Sequence, residues 1–571
     1  MEHNENLLPG AANYESHVGL KFQLYNSLFL TLPLDGIKNT GIFIPVLNEY
    51  CLNRLAEGHS PKEIVEQFFE EYKDGENEQE QMDFLFKVIQ YIERQVVLVD
   101  ALEDAAYSKL NNLSGKGSLS EFMIRMERAG NLNELMNRLQ VFSIRPVLTA
   151  HPTQFYPGRV LAIITDLTDA IQANDLTAIR MYLKQLGKTP LFQKTKPTPY
   201  DEAINLIWYL QNVFYQSAGD ITAEMRRSLP NWDGTLNLIN LGFWPGGDRD
   251  GNPFVRVDTT LHVAGRLRDV LLQCYYQDLR RLRRRISFSG VYEELMDIEK
   301  MVLKCIRHQE KWDFVKFHSA LHKVLSDLYE QHDGIFVELV LELLDRVALF
   351  GSHFASIDIR QDRSEIKRAF DALAQQLGVD EPETPGELFA LQAAWDGTLT
   401  GDDRIDDTLR SFRVIREIQA KNGPKGAHRY IISNCRGAMD VARVFALARW
   451  TAFGDEKITV DIVPLFETID DLAGAGASMN TLYSETNYRV HLTQRSNKQT
   501  IMLGFSDGTK DGGYMSANWS IYRAKENLTR ISKQHDIHVL FFDGRGGPPA
   551  RGGGNTHNFY ASLGSQIASS E

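Results

Sequence analysis

Seven short apolar runs that alternate with helical stretches constrain the fold of this 571-residue chain more than any other feature. Each run is rich in β-branched residues and ends in a cluster of Gly, Pro, His, Arg, Asp or Lys. Buried strands that alternate with helices form a parallel sheet covered by helices. Polar clusters at the carboxyl ends of such strands are typical of a (β/α) barrel, whose active site lies at that edge. The runs are residues 143–154, 236–253, 348–362, 428–437, 458–470, 500–513 and 537–547.

The expected fold class is therefore α/β, a helix-rich (β/α)8-type barrel with extensive extra helices, of which only seven of the eight strands are evident. Residues 1–140 have apolar positions three and four apart, which predicts a helical N-terminal region. Residues 141–571 are expected to form the barrel region with helical insertions, incomplete at the C-terminus. Residues 378–403, which contain EPETPGE and GTLTGDD, are expected to form an exposed connection.

Charge and composition exclude several classes of partner. The formal net charge of −13 argues against non-specific binding to nucleic acid or to an anionic membrane. Five arginines within residues 280–285 are better explained as a solvated or ion-paired helix face than as a nucleic-acid site. The four cysteines are scattered, the N-terminus shows no secretory signal, and no eighteen apolar residues run together. These features predict a soluble cytoplasmic protein with no membrane partner.

The residues that follow the runs are those of acid–base and anion-binding chemistry. His151 follows VLTA, and histidine exchanges a proton near neutral pH, although a structural role is the alternative. Arg360 ends SIDIR, where a guanidinium could bind phosphate through two hydrogen bonds. Arg545 and Arg551 lie in FFDGRGGPPARGGG, whose glycines let backbone approach a ligand closely. The sequence predicts an anion-binding edge.

Two carboxylates end consecutive apolar runs. Glu467 ends VPLFE and Asp507 lies in GFSDGTKDGG, where a charge is costly unless it is paired or bound to a metal. Mg²⁺ is usually held by one or two carboxylates with substrate oxygens and water, so the pair is a candidate Mg²⁺ or Mn²⁺ site. The alternative is that each carboxylate caps the helix that follows. Lys510 could neutralise developing negative charge, or it could be a surface lysine paired with Asp511.

The loop GGDRDGNP offers a further arginine, Arg249, between Asp248 and Asp250. The flanking carboxylates favour an internal ion-pair lattice that shapes the site over a direct role. The loops contain neither GxxxxGK[ST] nor GxGxxG, which disfavours Walker-type and Rossmann nucleotide sites. The residues together predict a barrel mouth suited to a small phosphorylated or polycarboxylate substrate.

Six of these segments resemble phosphoenolpyruvate carboxylases, and they occur in family order over residues 140–555. The segments are VLTAHPTQ, GGDRDGNP, SIDIRQ, VPLFETIDDL, MLGFSDGTKDGG and FDGRGGPPARGGG. The resemblance implies that bicarbonate attacks the phosphate of phosphoenolpyruvate, giving carboxyphosphate and the enolate of pyruvate. The enolate then captures the released CO₂ to form oxaloacetate, an anaplerotic carbon fixation.

By the same resemblance, Glu467 and Asp507 would hold Mg²⁺ or Mn²⁺, which stabilises the enolate as a Lewis acid. The other implied roles are phosphate binding by Arg360 and Arg545, proton acceptance by His151, bicarbonate handling or charge neutralisation by Lys510, and catalysis with inhibitor binding by Arg551. A dicarboxylate effector (aspartate or malate) and a homo-oligomer, a tetramer in the family, are also implied.

The chain departs from the family pattern in three respects. Gln154 stands where an acidic residue is more usual, which removes one charge beside His151. Asp543 stands where histidine is common and cannot act as a neutral donor, so bicarbonate placement or its pH dependence is expected to differ. Family members also continue past the position of Glu571 through an eighth strand. We therefore expect a fragment that is active only in its complete form. An inactive fragment or non-catalytic assembly partner, and another phosphoenolpyruvate-using phosphotransferase barrel, are the alternatives.

Overall fold

The computed structural model describes most of the chain, in two compact units. It describes residues 9–30, 40–115, 117–149, 156, 158–191, 197–229, 236–308, 311–544 and 556–567. One unit comprises Met1–Phe122 and His151–Lys196, and the other comprises Met123–Ala150 and Pro197–Glu571. Each unit is thus built from two segments, and the linear division at residue 140 stays a prediction.

Helices account for most of the described residues. None of these helices is both long enough and apolar enough to cross a membrane. Helix α22 is interrupted at Gly513, whose φ of 80° lies in the left-handed region. The α-helices are α1 (Pro9–Tyr14), α2 (Leu20–Leu30), α3 (Thr40–Ala56), α4 (Pro61–Tyr72), α5 (Glu78–Leu110), α6 (Leu119–Ala129), α7 (Leu132–Leu139), α8 (Gly158–Ala173), α9 (Leu176–Lys188), α10 (Pro199–Tyr209), α11 (Tyr215–Ser228), α12 (Val257–Arg285), α13 (Val291–His308), α14 (Phe314–Gln331), α15 (Val337–Phe350), α16 (Arg363–Leu377), α17 (Pro385–Ala390), α18 (Asp403–Asn422), α19 (Ala438–Ala448), α20 (Ile469–Ser484), α21 (Thr486–Gln494), α22 (Ser506–Gln534) and α23 (Thr556–Ser562), with π-helical turns at Glu15–Gly19, Leu210–Phe214 and Arg449–Phe453.

The first unit consists of amphipathic helices around an apolar core. Its longest helix, α5, begins with a capping box, in which Asn77 and Glu80 each accept a hydrogen bond from the other's backbone N–H. Buried Arg94 of α5 donates to the carbonyl oxygens of Leu186 and Thr189, which lie at the end of α9. The core includes Tyr91, Val97, Leu98, Leu102, Val160, Ile163, Leu167, Ile179 and Leu183.

The second unit contains a seven-stranded parallel sheet whose spatial order follows the sequence. Each predicted apolar run corresponds to one strand, although β4 and β6 begin one and two residues before their runs. Helices lie between successive strands, so the predicted helix-rich α/β barrel architecture is confirmed. Among the described residues the first and last strands do not pair with each other, and the sheet is open between them. The strands are β1 (Val147–Leu148), β2 (Gly242–Phe243), β3 (Ser356–Asp362), β4 (Ala427–Ser433), β5 (Asp461–Phe466), β6 (Lys498–Gly504) and β7 (His538–Gly544).

An apolar layer covers one face of this sheet. It consists of Ile431, Val463, Leu465 and Met502, with Trp244 and Phe542 packed against them. The ring of Trp244, which follows β2, lies 5.9 Å from the ring of Phe542 in β7, measured between centroids. Strands five positions apart in a flat sheet would be separated by about 24 Å. The sheet is therefore strongly curled, with the apolar layer on its inner face.

Charged side chains share the inner face with the apolar layer. Arg360 is the register partner of Ile431, and side chains alternate along each strand, so Arg360 points inward. Glu467 directly follows β5 and continues its inward alternation toward the carboxyl end. Arg429 and Asp461 are register partners near the amino ends of their strands. The predicted site residues therefore lie above the apolar layer, at the carboxyl edge of the sheet.

The expectation of an exposed connection at residues 378–403 is confirmed for most of the stretch, which is exposed or half-buried, but not for its aromatic residues. This stretch contains α17, in which Phe389 is buried, and Trp395 farther along is also buried. The ring of Phe389 contacts Phe445 and Tyr488, with centroid distances of 5.0 and 5.3 Å. The turn residues around α17 dominate the sequence pattern, so it did not predict that Phe389 and Trp395 pack against the helical layer.

The arginine-rich stretch is an ion-paired helix end, as predicted. It forms the last turns of α12, where cations interact favourably with the helix dipole. Arg283 pairs with Glu299 at 2.7 Å, and Arg281 pairs with Asp278 at 3.3 Å.

A buried histidine predicts acid sensitivity of the fold. Burial lowers the pKa of His491, which lies against Phe445 and Tyr488, to about 4. The unfolded chain takes up this proton near pH 6.5, so stability decreases as the pH falls from 7 toward 5. In a His491→Phe variant we expect the decrease over this interval to be smaller by about 2 kcal/mol. Urea unfolding at pH 7 and 5 measures the difference, and exposed His322→Phe is the control. Equal decreases in the wild type and His491→Phe would contradict the prediction.

Candidate active site at the carboxyl edge of the sheet

Arg360 lies at the centre of the candidate site. Its guanidinium pairs with Asp248 at 3.1 Å and with Asp250 at 2.6 Å, and it lies 3.8 Å from a carboxylate oxygen of Glu467. It also lies over the ring of Trp244, 5.2 Å from the centroid. Burial opposes its charge, but the three carboxylates outweigh burial and raise the pKa of Arg360. Arg360 is therefore a fixed cation at the mouth of the curled sheet.

The loop after β2 forms the ion-pair lattice that the sequence predicts. Asp248 and Asp250 face Arg360, and the backbone of Arg249 donates to the carbonyl oxygen of Arg360 at 2.9 Å. The side chain of Arg249 is buried and forms an ion pair with Asp407. Arg249 thus joins the loop to α18, while its neighbours hold Arg360 in position.

Glu467 is a buried carboxylate surrounded by other charges. One of its oxygens accepts a hydrogen bond from the backbone N–H of Asn434 at 2.8 Å. Burial raises the pKa of Glu467; the Asn434 N–H and Arg360 oppose the rise, whereas Asp507 and Asp250 add to it. Glu467 does not cap α20, because Thr468 does so. The capping alternative is therefore wrong for Glu467.

Asp507 and Lys510 lie in the first turns of α22. Asp507 accepts a hydrogen bond from Lys510 at 2.7 Å, and this contact raises the pKa of the lysine. No side chain caps this helix, so the capping alternative is also wrong for Asp507. Lys510 does not pair with Asp511, which instead accepts a hydrogen bond from the N–H of Ile469. The Lys510 side chain is 75% exposed and stands at the rim of the site.

Glycines allow the loop after β6 to approach Glu467. A Cβ atom added at Gly504 would lie 2.9 Å from Cγ of Glu467, and one added at Gly508 would lie 3.1 Å from its carbonyl oxygen. Side chains at these positions would push the loop, and Asp507 with it, away from Glu467. The glycines in GFSDGTKDGG therefore serve close packing between the ends of β5 and β6.

The two carboxylates fit a divalent cation. Burial raises the pKa of Glu467 and the charge of Asp507 adds to the rise, so a cation held by the two carboxylates would offset this cost. In the described parts of the chain, no three His, Cys, Asp or Glu side chains come together as a complete metal cluster. Mg²⁺ commonly takes only one or two protein carboxylates and completes its shell with substrate and water. A two-carboxylate site is consistent with both observations.

Sequence reasoning missed Asn434, which joins three strand ends. It follows β4 with a φ of 53°, a left-handed conformation that asparagine tolerates better than most residues. Its backbone N–H holds Glu467, and its side chain donates to Asp362 at the end of β3 at 2.6 Å. An asparagine directly after an apolar run, as in IISN, was the available signal.

Three predicted residues, His151, Arg545 and Arg551, lie outside the described residues, as does Gln154. Their roles stay predictions. Asp543, the other departure from the family pattern, is described in full. Its carboxylate forms an ion pair with Lys525 of α22 at 2.6 Å. Asp543 therefore faces the helical layer and not the inner face of the sheet.

Comparison with known proteins agrees with this geometry. The family description of phosphoenolpyruvate carboxylase matches residues 63–317 and 307–566. Curated relatives named phosphoenolpyruvate carboxylase include those of Gloeobacter violaceus (27% identity, covering 74% of this chain and 54% of the relative), Nitrosomonas europaea (28%, 77% and 55%) and Rhodothermus marinus (29%, 77% and 56%). This chain spans about half of the length of these relatives. The family match covers nearly all of the barrel region and every described site residue, and the chain belongs to the phosphoenolpyruvate carboxylase family.

Proposed function

We propose that the protein carrying this chain converts phosphoenolpyruvate and bicarbonate into oxaloacetate and phosphate. The observation that carries the proposal is the cluster of Arg360, Glu467, Asp507 and Lys510 at one edge of a family barrel. A cation held by carboxylates, beside a pair of carboxylates suited to a metal, matches a substrate that bears both phosphate and carboxylate groups.

Different described side chains would bind the phosphate and the metal ion. Arg360 would hold the phosphate, since Asp248 and Asp250 fix its orientation and its Nε has no hydrogen-bond partner among the described residues. Glu467 and Asp507 would hold Mg²⁺ or Mn²⁺, which when bound would act as a Lewis acid toward the developing enolate charge. Asn434 would keep Glu467 oriented through its backbone N–H.

The proton and bicarbonate steps would fall to residues at the rim. Lys510 is exposed and cationic, so it would neutralise charge on bicarbonate as the latter attacks the phosphate. His151 would accept the proton of carboxyphosphate and promote release of CO₂, and Arg545 and Arg551 would complete the anion-binding edge. The apolar layer below the site would keep water from entering through the barrel.

The proposal is tested by Mg²⁺-dependent formation of oxaloacetate from phosphoenolpyruvate and ¹³C-bicarbonate. Both this chain and the product of the longest open reading frame that contains it are assayed. We expect labelled oxaloacetate and phosphate in equal amounts. Phosphate release without oxaloacetate would indicate a different reaction, and phosphate transfer to an added acceptor would indicate a phosphotransferase. No turnover of phosphoenolpyruvate by either protein would overturn the proposal.

Replacement of Lys510 should lower the catalytic rate without changing the stability of the fold. Because its ammonium is exposed, Lys510→Met should leave the midpoint of thermal unfolding unchanged. Loss of the charge should lower kcat/KM for bicarbonate by about tenfold to a hundredfold. The matched control is Lys367→Met, which removes a similar exposed lysine paired with Asp371 on α16. Equal activity of the two variants would show that Lys510 takes no part in the reaction.

A further inference from the structure

A buried lysine lies beside the end of β7. Lys525 belongs to the middle of α22, and its side chain is only 1% exposed. Its ammonium pairs with a carboxylate oxygen of Asp543 at 2.6 Å and lies 5.5 Å from the ring centroids of both Phe541 and Phe559. Lysine is almost never fully buried unless its charge is paired. Lys525 is therefore committed to one carboxylate and two aromatic rings.

Asp543 is committed to the same cluster. Its second oxygen accepts a hydrogen bond from the hydroxyl of Tyr560 in α23 at 3.1 Å. The preceding residue, Phe542, packs against Trp244 on the inner face, so alternation directs Asp543 outward to the helices. Both carboxylate oxygens are thus used within the protein. One residue of β7 ties the strand to α22 and to α23.

The cluster lies next to the strand end that leads into the candidate site. Asp543 is the register partner of Leu503, two residues before Phe505 and the helical turns that carry Asp507 and Lys510. A Cβ atom added at Gly544 would lie 2.9 Å from the carbonyl oxygen of Leu503, so β6 and β7 are in close contact here. A shift of the end of β7 would therefore disturb the end of β6.

We propose that Lys525 and Asp543 form a coupled positioning pair that fixes the end of β7 against α22. In this proposal Asp543, which stands where the family commonly has histidine, acts on no reactant. The lysine supplies the compensating charge that lets an aspartate occupy this position. Lys525 is the positioning residue, and its effect on turnover rests on the carboxylase activity proposed above.

A double-mutant cycle tests the pairing. Asp543→Asn leaves Lys525 buried without its carboxylate, and Lys525→Gln leaves Asp543 buried without its cation. Each single variant should lower the unfolding midpoint and lower kcat/KM by about tenfold to a hundredfold, because small displacements at a site are costly. The double variant Lys525→Gln/Asp543→Asn joins two neutral amides that can hydrogen bond, so it should recover most of both losses.

The matched control is a buried ion pair in the outer helices. Arg346 of α15 pairs with Asp278 of α12 at 2.9 Å, and both are buried. Asp278→Asn should lower the unfolding midpoint but leave kcat/KM of the folded enzyme within about twofold, as expected of a change remote from the site. A loss of kcat/KM in this control equal to that of Asp543→Asn would attribute the effect to general destabilisation and overturn the positioning role.

Hydrogen exchange provides a readout that does not need activity. The amides of β7 should exchange faster in each single variant and return toward the wild-type rate in the double variant. If the wild type forms no oxaloacetate, the proposed function fails, and the exchange rates still decide the pairing. Additive effects in the cycle, or a double variant as inactive as Asp543→Asn, would overturn the proposal. The second result would show that Asp543 acts directly in the reaction.

Discussion

Arg360→Lys should lower kcat/KM for phosphoenolpyruvate by about a hundredfold or more, with KM rising because the phosphate loses the oriented guanidinium. Lysine keeps the positive charge but lacks the planar fork that reaches Asp248 and Asp250 together. One of the two carboxylates would lose its partner and could turn toward the substrate. Steady-state kinetics at saturating Mg²⁺ and bicarbonate measure the effect.

The stability of the same position provides a second measurement. Arg360→Met leaves Asp248, Asp250 and Glu467 without their common cation, and we expect it to destabilise the fold by about 3 to 5 kcal/mol. The control is Arg443, which is also held by two carboxylates, Asp440 at 2.8 Å and Glu381 at 2.6 Å. Arg443→Lys should reduce stability while leaving kcat/KM nearly unchanged. Unchanged kcat/KM in Arg360→Lys would show that this guanidinium serves the fold alone.

Glu467→Gln should reduce turnover on the order of a thousandfold, because the loss of a metal ligand removes several kcal/mol of charge stabilisation. The amide is similar in shape, and its oxygen can still accept the hydrogen bond from Asn434. The metal-free fold should be as stable as the wild type or more stable, because burial and the nearby Asp507 and Asp250 make the carboxylate costly.

Metal binding separates this prediction from a simple loss of fold. Paramagnetic Mn²⁺ titration should show binding to the wild type and none to Glu467→Gln, and Mn²⁺ should raise the unfolding midpoint of the wild type alone. The control Glu381→Gln removes a carboxylate that pairs with Arg443 in the middle of α19, and it should keep both Mn²⁺ binding and turnover. Intact Mn²⁺ binding in Glu467→Gln would assign the metal to other ligands.

Sequence patterns predicted the sheet well because each strand carries its own local signal. The apolar runs at residues 348–362, 428–437 and 500–513 each correspond to one parallel strand, in the predicted order. Alternation with helices leaves few topologies open, since parallel strands require long connections. The buried residues of the stretch with α17 were missed for the opposite reason. Its turn residues dominate the local pattern, while Phe389 and Trp395 find their partners only in the tertiary structure.

The sequence also predicted which residues lie together at the carboxyl edge, but it did not predict which of them form ion pairs. Arg360, Glu467 and Asp507 lie at or after the carboxyl ends of three strands, so a parallel sheet must bring them to one edge. Nothing in the sequence shows that Asp248 and Asp250 hold Arg360, because those contacts join segments more than a hundred residues apart. Lys525 was missed likewise. Its only signal is a charged residue on the buried face of α22, alongside Ala517 and Leu528.

The apolar layer inside the curled sheet has an electrostatic consequence. It separates the mouth, with Arg360 and Glu467, from the charges of Arg429 and Asp461 near the amino ends of the strands. Hydrocarbon polarises weakly, so the apolar layer screens the charges of the mouth much less than water would. The described charges of the mouth are mostly carboxylates, with Asp248, Asp250, Glu467 and Asp507 facing Arg360 and Lys510, so an approaching divalent cation meets their attraction with little loss. The apolar layer thus insulates the charged mouth from the charges near the amino ends of the strands.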